Sequence, residues 1–174
     1  MRTALLVLLI FGAGCAREGA SLVDHDAWTV VEADADPFDD RPETVDCSRL
    51  AWAAEVLGEE PTLEVDTTAC DYLSVSQPAL TDVRVGETVE AMVWHSDLVA
   101  AEDAEAHVAV AVAGAVWWEV RLPIPAGEGL DASLQSRVWE AEEPIAEGAE
   151  VVFHLHNHGQ NSYNLIHVRR VTEE

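Results

Sequence analysis

The chain has 174 residues, enough for one domain with a real core, and 49% of them are hydrophobic, which excludes a chain too polar to fold. Thirty-three acidic residues stand against nine arginines and no lysine; the net charge of −24 excludes nucleic acid and anionic lipid headgroups as partners. Without lysine there is no Gly-x-x-x-x-Gly-Lys phosphate loop, Schiff base or Ser/Lys hydrolase, and neither a Gly-x-Ser-x-Gly elbow nor a His-Glu-x-x-His pair occurs.

The N-terminus reads as an export signal over residues 1–14. Arg2 supplies a positive charge, Ala4 to Phe11 form an apolar run, and Gly12, Ala13 and Gly14 lead into Cys15. That run is far shorter than the roughly 20 apolar residues that span a membrane. Ala13, Gly14 and Cys15 resemble the signal of bacterial lipoproteins, in which a small pair precedes a cysteine that becomes acylated and N-terminal. Gly12 departs from that pattern, which expects an aliphatic residue there, so simple cleavage and secretion stays open. The resemblance implies a lipid (palmitate-type) anchor on Cys15 and a place on a membrane of the bacterial cell envelope.

Residues 15–45 are rich in Ala, Asp, Glu and Pro and read as a lipidated stalk and acidic strap, with Trp28, Val30 and Phe38 as scattered apolar side chains. Asp34, Asp36, Asp39 and Asp40 lack the glycine and glutamate of a calcium loop and read as solvated. A single domain is expected over 46–174. Ser48 to Leu57 places Leu50, Ala53, Ala54 and Leu57 on one stripe and predicts a short helix. In an oxidising compartment Cys47 and Cys70 are expected to form a disulfide, which stabilises by about 3 kcal/mol in the chain-entropy account.

Beyond Cys70 the pattern turns to period 2. Strands are expected at Thr88 to His95, at His107 to Val112 and Ala115 to Leu122 about an Ala113-Gly114 turn, around Ser136 to Ala141, at Glu150 to His156, and at Ser162 to Val171. The hairpin is apolar on both faces, which predicts a central position, with Trp117 and Trp118 facing opposite ways and Pro123 ending the second strand. The fold class is therefore mainly β: an antiparallel β-sandwich, jelly-roll or cupredoxin-like, with one short helix.

Two segments echo each other. Gly86 is followed by Val89, Ala91 and Val93, and Gly148 by Val151, Phe153 and Leu155 at the same offsets, as in equivalent strands of two sheets. The Gly86-Glu87-Thr88-Val89 start is similar to opening strands of the cupredoxin family over about a dozen residues, but the family's cysteine ligand is missing, so no blue-copper centre is carried over.

Phe153-His154-Leu155-His156-Asn157-His158 carries the sharpest functional signal. On a strand, His154 and His156 share a face, and His158 joins from the turn. Imidazoles so placed suit copper or zinc, in a site that weakens below about pH 6, and the echo adds His95 as a further ligand. His107 is a candidate fourth ligand, and Asp97 and Glu119 are candidates to orient the rings. Ordinary turn chemistry over 157–161 and hydrogen-bonded structural histidines account for the same residues. The alternative function is a metal-independent carbohydrate- or ligand-binding module of the envelope. Asn157, Gln160, Asn161 and one tryptophan would then touch a glycan. No catalytic residue set accompanies either reading.

Overall fold

The structure, a computed structural model, describes residues 19–156 and 159–171. The signal, Cys15, Asn157 and His158 lie outside the described residues. Eleven strands run through the described residues: β1 (Gly19–Ser21), β2 (Thr29–Val30), β3 (Trp52–Leu57), β4 (Glu60–Asp66), β5 (Tyr72–Pro78), β6 (Thr88–His95), β7 (Ala104–Val112), β8 (Ala115–Ile124), β9 (Ser133–Glu140), β10 (Glu150–His156) and β11 (Ser162–Val171). They form two antiparallel sheets. The first has the order β3-β4-β11-β6-β9, with β1 also pairing with β11; the second has the order β2-β5-β10-β7-β8. The expected antiparallel β-sandwich is the fold.

The inner faces meet as the alternation dictates. Val89, Ala91, Val93 and Leu165 of the first sheet and Val108, Val110, Val151, Phe153 and Leu155 of the second are fully or almost fully buried in one core. Large side chains buried this way each contribute roughly 1.5–3 kcal/mol. The internal echo is therefore a structural one. Gly86 and Gly148 both have positive φ (85° and 86°), and each launches a strand whose odd-numbered residues line the core.

Two expectations about local structure are corrected. No helix occurs among the described residues. Within 48–57, Trp52–Leu57 is instead the outermost strand of its sheet, paired with β4 from Trp52↔Val65 to Leu57↔Glu60. The supposed apolar stripe is not buried, since Leu50 is 95% exposed, so a helix there had no face to cover. Trp52 is buried instead, in register with the core residue Val65. Cys47 and Cys70 do form the disulfide that closes this hairpin.

The Ala113-Gly114 turn is where expected, with positive φ at both residues (51° and 80°), as a tight hairpin of the primed type requires. The hairpin is not central as a whole, because β8 is an edge strand, and it continues through Pro123 to Ile124. An edge tolerates a residue without an N–H. The face assignment also shifts. A β-bulge places Val110 opposite Trp118 and Ala111 opposite Val116, leaving Trp117 as the extra residue. Trp118 thereby joins Val108 and Val110 in the core, and Trp117 packs against that same core instead of opposing it.

The apolar outer face of β7 has its own explanation. After β2 the chain crosses the outside of the second sheet, and Val31 and Phe38 pack with Ala109, Ala111 and Val152 into a second, smaller core. The acidic strap is thus packed against the sandwich rather than wholly solvated.

Candidate functional site

The outer face of the second sheet carries the polar residues that the strap covers. On β10, the odd residues Phe153 and Leu155 take the core, so His154 and His156 face outward. Register brings in the neighbours: Ser74 and Tyr72 of β5 lie opposite His154 and His156, and His107 of β7 lies opposite His156. Phe38 of the strap stacks on His154 (centroids 4.1 Å apart, planes at 20°) and presents an edge geometry to His107. The residue after Asp39 then drops its carboxylate among the rings.

Asp40 is the hub. Its Oδ2 lies 2.7 Å from His107 Nδ1 and 3.3 Å from His156 Nδ1, and its Oδ1 lies 3.3 Å from His154 Nε2. His107 Nε2 faces Glu119 Oε2 at 3.2 Å. Burial alone would raise the Asp40 carboxyl, but the hydrogen bond from His107 and the neighbouring imidazoles more than offset it and hold the group at about 2. For His154 burial dominates. The ring is fully enclosed, and its conjugate acid is pushed down to about 4 despite the Asp40 carboxylate beside it.

Asp36 supplies the second carboxylate of the strap and is almost wholly buried. It accepts from Arg41 (2.7 Å), the Tyr72 hydroxyl (2.8 Å) and the Ser74 hydroxyl (3.2 Å). Ser74 Oγ in turn lies 3.0 Å from His154 Nδ1. A chain Asp36–Ser74–His154 therefore sets the ring's orientation from behind.

Of the four histidines expected to converge, the structure brings His154 and His156 together, adds His107, and leaves His158 outside the described residues. His95 does not take part. It sits in the first sheet, fully buried, with Nδ1–H donating to the Ser96 carbonyl (2.9 Å) and its ring near Tyr163. Parity is the reason: His95 is two residues beyond Val93 and so continues the inward-facing series. Glu119 does orient a ring, whereas Asp97 accepts from the Ala132 N–H (2.8 Å) and lies apart. Asp40, the residue at the centre of the cluster, was read only as part of a solvated run. No local pattern marks it, because its partners are 67 and 116 residues away.

A second candidate lies at the open side between β8 and β9. The bulge at Trp117 brings its ring against Trp139 of the other sheet, centroids 5.3 Å apart and planes at 89°. Around them is a hollow of about 450 Å³ that Arg137, Glu140 and Glu142 also line. An adjoining hollow of about 340 Å³ shares Trp117 and Arg137 and adds Gln135 and Ser136. Together they form a groove lined by the two tryptophans and by the planar, hydrogen-bonding side chains of Gln135, Arg137, Glu140 and Glu142. The polar edge expected beside a tryptophan does not adjoin it. Gln160 and Asn161 follow the far end of β10 from the Ala113-Gly114 turn, and their backbones tie down Val99 and Thr67.

No protein-family profile and no curated protein matches the chain. Solved structures do resemble it. A carbohydrate-binding module described for specific mannan recognition aligns with a TM-score of 0.51 at 8% identity, covering 90% of this chain and 96% of that one. A module specific for non-crystalline cellulose aligns at 0.46 and 9% identity (74% and 88% covered). A xylan-binding domain from Paenibacillus barcinonensis aligns at 0.40 and 16% identity (91% and 99% covered). At 8% identity the likeness to the mannan module is one of fold, over 90% of this chain.

Proposed function

We propose that this chain is an exported carbohydrate-binding module whose binding surface is the groove between β8 and β9. The observation that carries this reading is the bulge that turns Trp117 out of strand alternation and onto Trp139. Bulges of this kind re-aim a side chain at the cost of a ladder position. Sugar rings present flat C–H faces with equatorial hydroxyls, and the groove offers the matching chemistry. An indole stacks on the ring, and the guanidinium of Arg137 and the carboxylate of Glu140 bridge hydroxyl pairs. The whole-length fold likeness to a mannan-recognising module supports the same reading.

Affinity electrophoresis against mannan, xylan and soluble cellulose derivatives tests it. The folded protein is expected to be retarded by at least one polysaccharide, with retardation lost in Trp117→Ala and undiminished in chelator. Unretarded migration on every polysaccharide, or retardation that survives both Trp117→Ala and Trp139→Ala, refutes it. Export and anchoring rest on the signal and on Cys15. Radiolabelled palmitate is expected to enter the native chain and not the Cys15→Ser variant.

A further inference from the structure

We propose that Asp40, His107 and His154, with His156 beside them, form a binding site for a divalent transition-metal ion of the zinc or copper class, which joins the strap to the second sheet. This site is distinct from the glycan groove, and neither proposal depends on the other. Its residue set differs from the one read in the sequence in that Asp40 joins it and His95 does not, while His107, a candidate there, is drawn in and His158 lies outside the described residues.

One proton sets the state of the His154 ring. The Ser74 hydroxyl has a single hydrogen, and the buried Asp36 carboxylate at 3.2 Å draws it, because a charged acceptor makes the stronger bond. Ser74 Oγ can then only accept from His154, so Nδ1 carries the ring's hydrogen across the 3.0 Å contact. In the neutral ring Nε2 is left with a bare lone pair. That lone pair faces Asp40 Oδ1 at 3.3 Å, and neither atom has a hydrogen-bond partner although both are buried. Two acceptors turned towards each other repel. Buried polar atoms left in this way are costly unless something positive lies between them.

A metal ion meets that need, taking the Nε2 lone pair and the Asp40 carboxylate together as ligands. One ligand atom from each of Asp40, His107 and His154 lies within 4.8 Å of the others. Ligand bonds of about 2.0–2.1 Å in a tetrahedral site put donor atoms roughly 3.3 Å apart. The separation of Asp40 Oδ1 from His154 Nε2, 3.3 Å, already matches, whereas the 2.7 Å contact of Asp40 Oδ2 with His107 Nδ1 has to open by about 0.6 Å to admit an ion. The rings are backed as metal-bound histidines are: His154 by Ser74 and Asp36, His107 by Glu119. Imidazole-rich donors with one carboxylate select zinc or copper over calcium or magnesium. An ion also has a way in, through a shallow acidic depression bordered by Asp103, Glu105, His107 and His156.

The test is calorimetric titration of the chelator-treated, dialysed protein with zinc and, separately, with copper, with thermal unfolding followed in parallel. One ion per chain is expected to bind at micromolar concentration or tighter and to raise the melting temperature. Asp40→Asn and His107→Gln are each expected to weaken binding at least tenfold, and His167→Gln, far from the cluster, to leave it unchanged. Near-UV circular dichroism checks that each variant is folded. If either ligand variant is not, Ser74→Ala, which removes the hydroxyl that links Asp36 to His154 and no ligand atom, is expected to weaken binding in its place. A folded wild type that binds neither ion at 10–100 times micromolar concentration overturns the proposal, as do Asp40→Asn and His107→Gln variants that bind like wild type. The cluster is then a hydrogen-bonded clasp for the strap.

Discussion

The two faces that flank β7 and β8 have been treated in opposite ways by the rest of the chain. On the outer face of the second sheet, Phe38 and Asp40 close over His107, His154 and His156, and the polar groups answer mainly to one another. At the β8–β9 side no described residue is packed over the pair as Phe38 is over His154, and Trp117 and Trp139 remain half-buried beside an open groove. Both regions grow from the same hairpin. Coverage, more than residue type, separates a buried electrostatic cluster, whose energy depends on charge state, from a contact surface whose worth depends on a ligand.

Removing the cover should give the largest effect. Phe38→Ala strips the ring stacked on His154 and leaves a cavity in the smaller core, so urea denaturation is expected to show a loss of about 3 kcal/mol. Polysaccharide retardation should be unchanged. Loss of retardation in the folded variant would mean that the two regions are one site.

Acid should act on the covered face next. In chelator, His154 has a folded-state value of about 4 against an ordinary 6.5, so the unfolded chain binds the proton more readily between those limits. Its contribution is fully present above about pH 6.5 and is lost as pH falls towards 4, on the order of 3 kcal/mol in total. Asp40, at about 2 against 3.8, extends the loss at lower pH only. Urea midpoints measured at pH 7 and pH 4.5 should differ clearly in the wild type and much less in His154→Gln. Equal slopes in the two proteins would remove His154 as the source.

The open face should respond to truncation in ligand affinity rather than in acid sensitivity. Trp117→Ala is expected to weaken glycan binding about tenfold or more, roughly 1.4 kcal/mol, and to leave the pH dependence of stability as it was. The smallest effect is expected at His95. A folded His95→Asn variant should retain zinc or copper as wild type does, because the ring lies in the other sheet and faces the interior.

Much of the sandwich was legible because strand alternation is local. Val89, Ala91 and Val93 announce an inward face without reference to any partner, and the same parity, carried one step further, turns His95 inward and His154 and His156 outward. The glycine echo at Gly86 and Gly148 likewise reports two turns that each need positive φ. The segment 48–57 was not legible in this way. Alanine-rich and mostly exposed, it has a helical stripe on paper, and only pairing with β4 decides that it is a strand.

By itself, then, the sequence determined the sandwich, the Cys47–Cys70 bridge, the Ala113-Gly114 turn and the shared outward face of two histidines, all consequences of period, spacing and turn chemistry. Tertiary structure alone decided that Asp40 stands among those histidines, that Phe38 seals His154, and that a one-residue bulge swings Trp117 onto Trp139. Each of these joins residues far apart in the chain, or slips a register by one. Such events depend on which surface is left for a passing segment to bury, and no periodicity within a single strand encodes that.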